Sequence, residues 1–239
     1  MKDTIKLGAP GVKMVAHRGV CGLERENTCA AFVAAGNRSY FGVETDIHRT
    51  ADGRFIVIHD DTTERVAGIR CVVEETDFDT LRRLSMTDLD GNPRGDLIFP
   101  SLEEYINLCK KYEKACVLEL KNYFEPRDIE EIISIIRELG WLEHTIFISF
   151  VLPNCLCLRE KLPEQPVQYL VDAFGDGLLD ILTANRLDLD ILFSALTAEH
   201  VALCHEKGIL VNVWTVNKLE DGKRMAEYGV DFITSNILE

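Results

Sequence analysis

His17, Arg18 and Gly19 follow directly on a short apolar run that starts at Met14. An imidazole beside a guanidinium can handle a proton and an anion together. Arginine offers a fixed fork of donors to a phosphate or carboxylate, and histidine titrates near neutrality. Glu44 and Asp46 stand one residue apart inside a second run, 42–47. On a strand, alternate residues leave the same face, so both carboxylates point one way while Val43 and Ile47 point the other. Glu119 and Lys121 repeat this parity at the end of the run 116–120. Three carboxylates in one place repel each other unless a proton or a cation intervenes. An all-oxygen set, with no accompanying thiolate and imidazole pair, suits Mg2+ or Ca2+. His59 closes a further apolar run, 55–58, and adds a second imidazole. Two imidazoles suit phosphate ester cleavage, in which the attacking oxygen must lose a proton and a poor alkoxide leaving group must gain one. His48 shares the parity of Asp46 but lies further along, where a supporting or solvent-facing place is expected.

The elements that must position these groups can be read from periodicity. Apolar, β-branched runs occupy 14–16, 42–47, 116–120, 145–150, 167–171, 191–193, 210–214 and 231–234, with helical patterns between them. Pro126 opens and Gly140 closes one such helix, whose Ile129, Ile132, Ile133 and Ile136 share a face. Segments 197–208 and 217–229 repeat this progression from cap to glycine. Strict alternation argues for parallel strands, and eight units in about 250 residues match a closed (β/α)8 TIM barrel. An open doubly wound sheet is the competing architecture. It is disfavoured because no strand leads into a glycine-rich dinucleotide turn. In a barrel the residues at the ends of strands 1, 2 and 3 meet at one mouth. Residues 61–99 break the rhythm. A featureless loop of that length is improbable in a compact domain, so a small cap insertion is expected, with a short helix at 80–84 and a turn at Asp90, Gly91, Asn92 and Pro93.

Composition narrows the partners. The 239-residue chain carries 26 Lys plus Arg against 40 Asp plus Glu, a formal charge of −14. This field repels nucleic acid and anionic lipid, so a bound phosphate needs a local cation. Neither a signal peptide nor an apolar span long enough for membrane insertion is read from the chain. Cys29, Cys109, Cys116 and Cys204 fall in apolar patterns and read as reduced core residues, while Cys155 and Cys157 have the wrong spacing for a redox or zinc pair. A cytoplasmic location is the expectation.

The motifs His17-Arg18-Gly19, Glu26-Asn27-Thr28, Glu44-Thr45-Asp46, Asp52-Gly53, His59-Asp60 and Glu119-Leu120-Lys121 together resemble the glycerophosphodiester phosphodiesterase family, in order and in spacing. The resemblance runs from about Met14 to Asn236. It implies a TIM barrel with a cap after the second strand, and hydrolysis of glycerophosphodiesters to glycerol 3-phosphate and an alcohol. It also implies a divalent metal on Glu44, Asp46 and Glu119, His17 and His59 as acid and base, and Arg18 and Lys121 on phosphate. Trp214, at the end of the seventh strand, is expected to wall the substrate site. Asn27 or Thr28 is read either as a helix cap or as a site residue. Arg25 stands where the family often has proline, and Thr234-Ser235-Asn236 replaces the frequent Thr-Asp. Two alternatives accompany this reading: a phospholipase-type phosphodiesterase on the same barrel, and a phosphate-ligand binding protein without turnover.

Overall fold

The computed structural model describes residues 3–239. Its strands are β1 (Lys13–Ala16), β2 (Gly42–Arg49), β3 (Phe55–Val57), β4 (Ala115–Leu120), β5 (Thr145–Ser149), β6 (Val167–Val171), β7 (Asp188–Leu192), β8 (Val211–Trp214) and β9 (Phe232–Ser235). Its helices are α1 (Cys29–Gly36), α2 (Glu64–Ala67), α3 (Phe78–Arg82), α4 (Leu102–Lys111), α5 (Pro126–Glu138), α6 (Leu152–Lys161), α7 (Leu178–Asn185), α8 (Ala198–Glu206) and α9 (Leu219–Tyr228). Every strand but β3 is parallel to its neighbours, in the order β1-β9-β8-β7-β6-β5-β4-β2, and pairing of β1 with β2 closes the circle. The fold is a (β/α)8 barrel. β3 instead runs antiparallel to the end of β2, setting Ile47 opposite Val57.

Alternation along the strands sorts the side chains. Val43, Ile47, Leu118 and Leu120 face the helices and join the main apolar core. Val15, Val117, Ile146, Ile148, Leu170 and Phe232 form a smaller cluster inside the barrel. On α5 Ile129, Ile132, Ile133 and Ile136 are each at most 3% exposed. Burying one such side chain stabilises by about 1.5–3 kcal/mol, which exceeds the few tenths of a kcal/mol by which isoleucine trails alanine in helix propensity. Packing therefore decides this helix. Side chains define several helix starts: Thr28 accepts from the Ala31 N–H, Thr197 from the His200 N–H, and Ser101 with Glu104 forms a reciprocal capping box.

Three local expectations are corrected. β7 begins at Asp188, before the apolar run at 191–193, because its inward positions hold Asp188 and Asp190 and so hide the strand pattern. Asn217 does not start α9; its Oδ1 accepts from Ser235 Oγ and the Asn236 N–H instead. Cys29 is only partly buried, unlike Cys109, Cys116 and Cys204, and all eight cysteines are free.

Between β3 and α4 the chain forms α2, a 3-10 turn at Val73–Glu75 and α3, which places the expected 80–84 helix two residues earlier. Ile56, Ile58, Val66, Val73, Phe78, Leu81, Met86, Leu97 and Phe99 bury one another there in a cluster separate from the barrel core. The turn near residue 90 forms with Gly91 at φ 83°, and Thr87 bridges Pro93. Among the described residues no helix is long and apolar enough to cross a membrane.

Candidate active site

Glu44 and Asp46 leave β2 on one face, and strand register sets Asp46 beside Glu119 of β4. One oxygen from each carboxylate lies within 4.8 Å of the others, and all three residues are buried. Burial, then the charges of Asp46 and Glu119, raise the Glu44 carboxyl well above its ordinary value. Burial and Asp46 push Glu119 up to about 8. Burial also opposes ionisation of Asp46, but Arg18 and Lys121 outweigh it and hold this carboxyl low. The three thus form one electrostatic unit in which Asp46 keeps its charge, and the crowding marks a group able to hold a metal ion.

The cations come from the same strand ends. The Lys121 ammonium lies 2.9 Å from Glu119 and 3.6 Å from Asp46, and Arg18 Nε lies 3.6 Å from Asp46. The Arg18 N–H donates to Glu44 Oε2 at 2.7 Å from a left-handed backbone conformation, φ 52°. The next residue must be glycine: Gly19 has φ 73°, and a Cβ there would meet Ala31 atoms at 2.6–2.8 Å. That close approach to α1 folds the loop over the carboxylates.

Each imidazole is held at Nδ1. Asn236 Oδ1 lies 2.6 Å from His17 Nδ1, so the donor N–H is assigned to Nδ1 and Nε2 is left toward Glu44, 4.0 Å away. Burial, then the charge of Arg18, pushes His17 down to about 4. Asp60 Oδ1 lies 2.7 Å from His59 Nδ1. Burial also lowers His59, against the charge of Asp46. His48 is fully buried rather than solvent-facing; its ring contacts Glu74 Oε1 at 3.2 Å and the His59 carbonyl at 3.3 Å, so it shapes the segment that carries His59.

The supporting groups are legible in the sequence only in part, and the structure resolves the two readings of Asn27 and Thr28. Thr28 is the helix cap, while Asn27 donates to Asp46 Oδ2 and accepts from Thr45 Oγ1. Asn236 was noticed only as a departure from a pattern. A chain of ion pairs runs from Arg18 to Glu26, then Arg65, then Asp60 beside His59, at 2.6–2.8 Å throughout. Burial opposes charge on Glu26, but Arg65 and Arg18 bring it down to about 2. Its stabilising contribution is therefore present above about pH 4.5 and is lost as pH falls toward 2. We expect the stability difference between wild type and Glu26→Gln to be large at pH 7 and to shrink by pH 3. Denaturant titrations at both values measure it, and a pH-independent difference would refute the assignment.

His17, Arg18, Glu44, His59, Glu119 and Lys121 line one side of a cavity of about 200 Å³, with Asp46 just behind them. Ile148, Phe150, Leu170 and Trp214 form the apolar remainder, where Phe150 meets the Trp214 ring edge-on at 5.5 Å. Asp190 lies among them, its carboxyl raised by burial and then by Glu119. All eight residues singled out from the sequence meet at this mouth. Residues 17–238 match the model of the glycerophosphoryl diester phosphodiesterase family.

The chain belongs to that family. It is an enzyme, a glycerophosphodiester phosphodiesterase. A glycerophosphodiester phosphodiesterase of Bacillus altitudinis is 30% identical over 227 residues, covering 92% of this chain and 93% of its own. The corresponding protein of Caldanaerobacter subterraneus subsp. tengcongensis is 28% identical over 229 residues, covering 93% of each. In fold, the chain resembles an Oleispira antarctica phosphodiesterase solved with its product sn-glycerol-3-phosphate, with a TM-score of 0.85 at 22% identity over 97% of this chain and 96% of that one.

Proposed function

We propose that this glycerophosphodiester phosphodiesterase releases glycerol 3-phosphate and an alcohol, with His17 and His59 exchanging protons and with one divalent cation, Mg2+ or Ca2+, on Glu44, Asp46 and Glu119. The observation that carries the reading is the convergence of three buried carboxylates, two cations and two oriented imidazoles on one cavity. The donor set fits such a cation: it is all oxygen, and its crowding pushes Glu44 and Glu119 toward protonation. A bound cation there supplies charge that offsets the phosphoryl oxygens and lowers the pKa of an attacking oxygen.

The chain's own residues divide the rest. Arg18 and Lys121 hold the phosphoryl oxygens. His17, neutral and paired only with the Asn236 amide, takes the proton of the attacking oxygen at Nε2. His59 faces the carboxylate of Asp60, which favours its imidazolium, and gives a proton to the departing alkoxide. Trp214 and Phe150 keep water from the apolar side. The test is product analysis with a panel of glycerophosphodiesters: glycerol 3-phosphate and free alcohol in equal amounts support the reading, and binding without turnover favours the phosphate-ligand alternative. The free thiols support a reducing, cytoplasmic setting.

We further assign residues 61–99 as a cap insertion that sets the choice of alcohol, since it follows His59 and buries its own cluster. Shortening the tip between residues 88 and 95 should reorder relative kcat/KM across the panel. A folded variant with the same ranking would leave this segment a purely structural role.

A further inference from the structure

Apart from Arg18 Nε and Glu119 Oε1, which belong to the cluster of carboxylates and cations already described, two buried polar atoms of cavity-lining residues lack any hydrogen-bond partner. Asp190 is 1% exposed; its Oδ2 accepts from Asn212 Nδ2 at 3.1 Å, but its Oδ1 makes no hydrogen bond. Trp214 Nε1 is likewise buried and unpaired. Strand register sets Asp190 opposite Asn212 and Leu192 opposite Trp214, so the two residues are neighbours one step apart on β7 and β8, and both line the cavity. A native protein leaves few buried polar atoms unsatisfied, and those at a cavity point to a group supplied from outside.

The missing group can be described chemically. It must accept from an indole N–H, which only donates, and also pair with a carboxyl oxygen. A hydroxyl does both at once, and does so with either protonation state of the carboxyl. In the function proposed above the phosphate sits beside Arg18 and Lys121, in the segments that directly follow β1 and β4, so another part of the substrate must supply this group. In a glycerol phosphodiester the secondary hydroxyl is held next to the phosphate by the carbon skeleton. The terminal hydroxyl is one carbon further and can reach the opposite wall.

We propose that Asp190 and Trp214 form a polyol-recognition subsite that binds the terminal hydroxyl of the substrate's glycerol fragment. This inference rests on the function proposed above and names how that site tells glycerol from a simpler diol. Filling the cavity with a hydroxyl satisfies both orphaned atoms, whereas a fragment lacking it leaves them buried and unpaired. Discrimination by such unpaired groups exceeds what loss of a methylene contact gives.

The experiment compares two phosphodiesters with the same departing alcohol. One carries glycerol. The other carries propane-1,2-diol, which keeps the hydroxyl next to the phosphate-bearing carbon and lacks the terminal one. The unaltered enzyme should prefer the glycerol ester in kcat/KM by at least about 10²-fold. Asp190→Leu should reduce that ratio to below about tenfold, by lowering the rate on the glycerol ester more than on the other. Asp190→Asn, which keeps shape and hydrogen bonding, should hold the ratio above about tenfold. Being a ratio, it is insensitive to the fraction of enzyme folded. Should Asp190→Leu fail to fold, Trp214→Phe deletes the indole N–H while keeping an aromatic ring, and it too should lower the ratio. No preference in the unaltered enzyme, or a ratio unchanged in these variants, overturns the subsite alone. No turnover of either ester by the unaltered enzyme overturns the proposed function and the subsite with it.

Discussion

Replacing either histidine with alanine should lower kcat/KM on an ordinary glycerophosphodiester by at least about 10²-fold, and an activated leaving group should rescue only His59→Ala. General acid or base catalysis by one side chain is typically worth about 10² to 10⁴-fold. The asymmetry comes from the partners at Nδ1. Asn236 is neutral and gives His17 an oriented lone pair at Nε2, whereas Asp60 is anionic and supports a protonated His59. A nitrophenolate departs without needing a proton, so loss of the acid becomes invisible on such a substrate, while loss of the base does not. Steady-state kinetics with alkyl and nitrophenyl esters decides it. Equal rescue of both variants, or full rate in either, would show the division of labour to be wrong, and rescue of His17→Ala alone would reverse the two roles.

Thorough chelation should abolish turnover, and Glu119→Gln should lower both cation affinity and rate by at least about 10²-fold. Glu44, Asp46 and Glu119 sit with oxygens within 4.8 Å, and without a cation Glu119 is pushed up to about 8. Cation binding must therefore release protons near neutral pH, and affinity should rise as pH increases through that range. A second readout does not need turnover: added Mg2+ or Ca2+ should raise the melting temperature of the wild-type chain by mass action and do so less for Glu119→Gln. Activity that survives chelation, or an unchanged affinity in the variant, would remove the cation from the site.

What the sequence made legible follows from distance along the chain. The parity of Glu44 with Asp46, and of Glu119 with Lys121, is a local pattern, and the strand ends made it readable. The apolar outward faces of β2 and β4 announced those strands. β7 was found only in part because Asp188 and Asp190 occupy its inward positions, so that half of the usual alternation is polar. The partner of His17 lies 219 residues away at Asn236, and the partner of Arg25 lies in the loop at 87–88. Nothing in the local spacing of either residue announces such a pairing. For His48 the sequence leaves a supporting and a solvent-facing place open, and the structure shows the supporting one, because Glu74, which contacts its ring, arrives from the segment after β3.

Arg25 gives its guanidinium to the carbonyls of Thr87 and Asp88 and to Thr87 Oγ1. The segment after β3 is thereby strapped to the barrel at its far loop as well as at its root, where Arg65 grips Glu26. Hinged motion of that segment as a rigid lid would break both fastenings together, so substrate and product should pass through the standing mouth of the cavity. For anyone grafting a different loop onto this scaffold, the practical boundary follows: residues 60–66, the carbonyls at 87 and 88, and Arg94, which pairs with Glu24, are the mounting points, and the exposed turn at 89–93 is the exchangeable part.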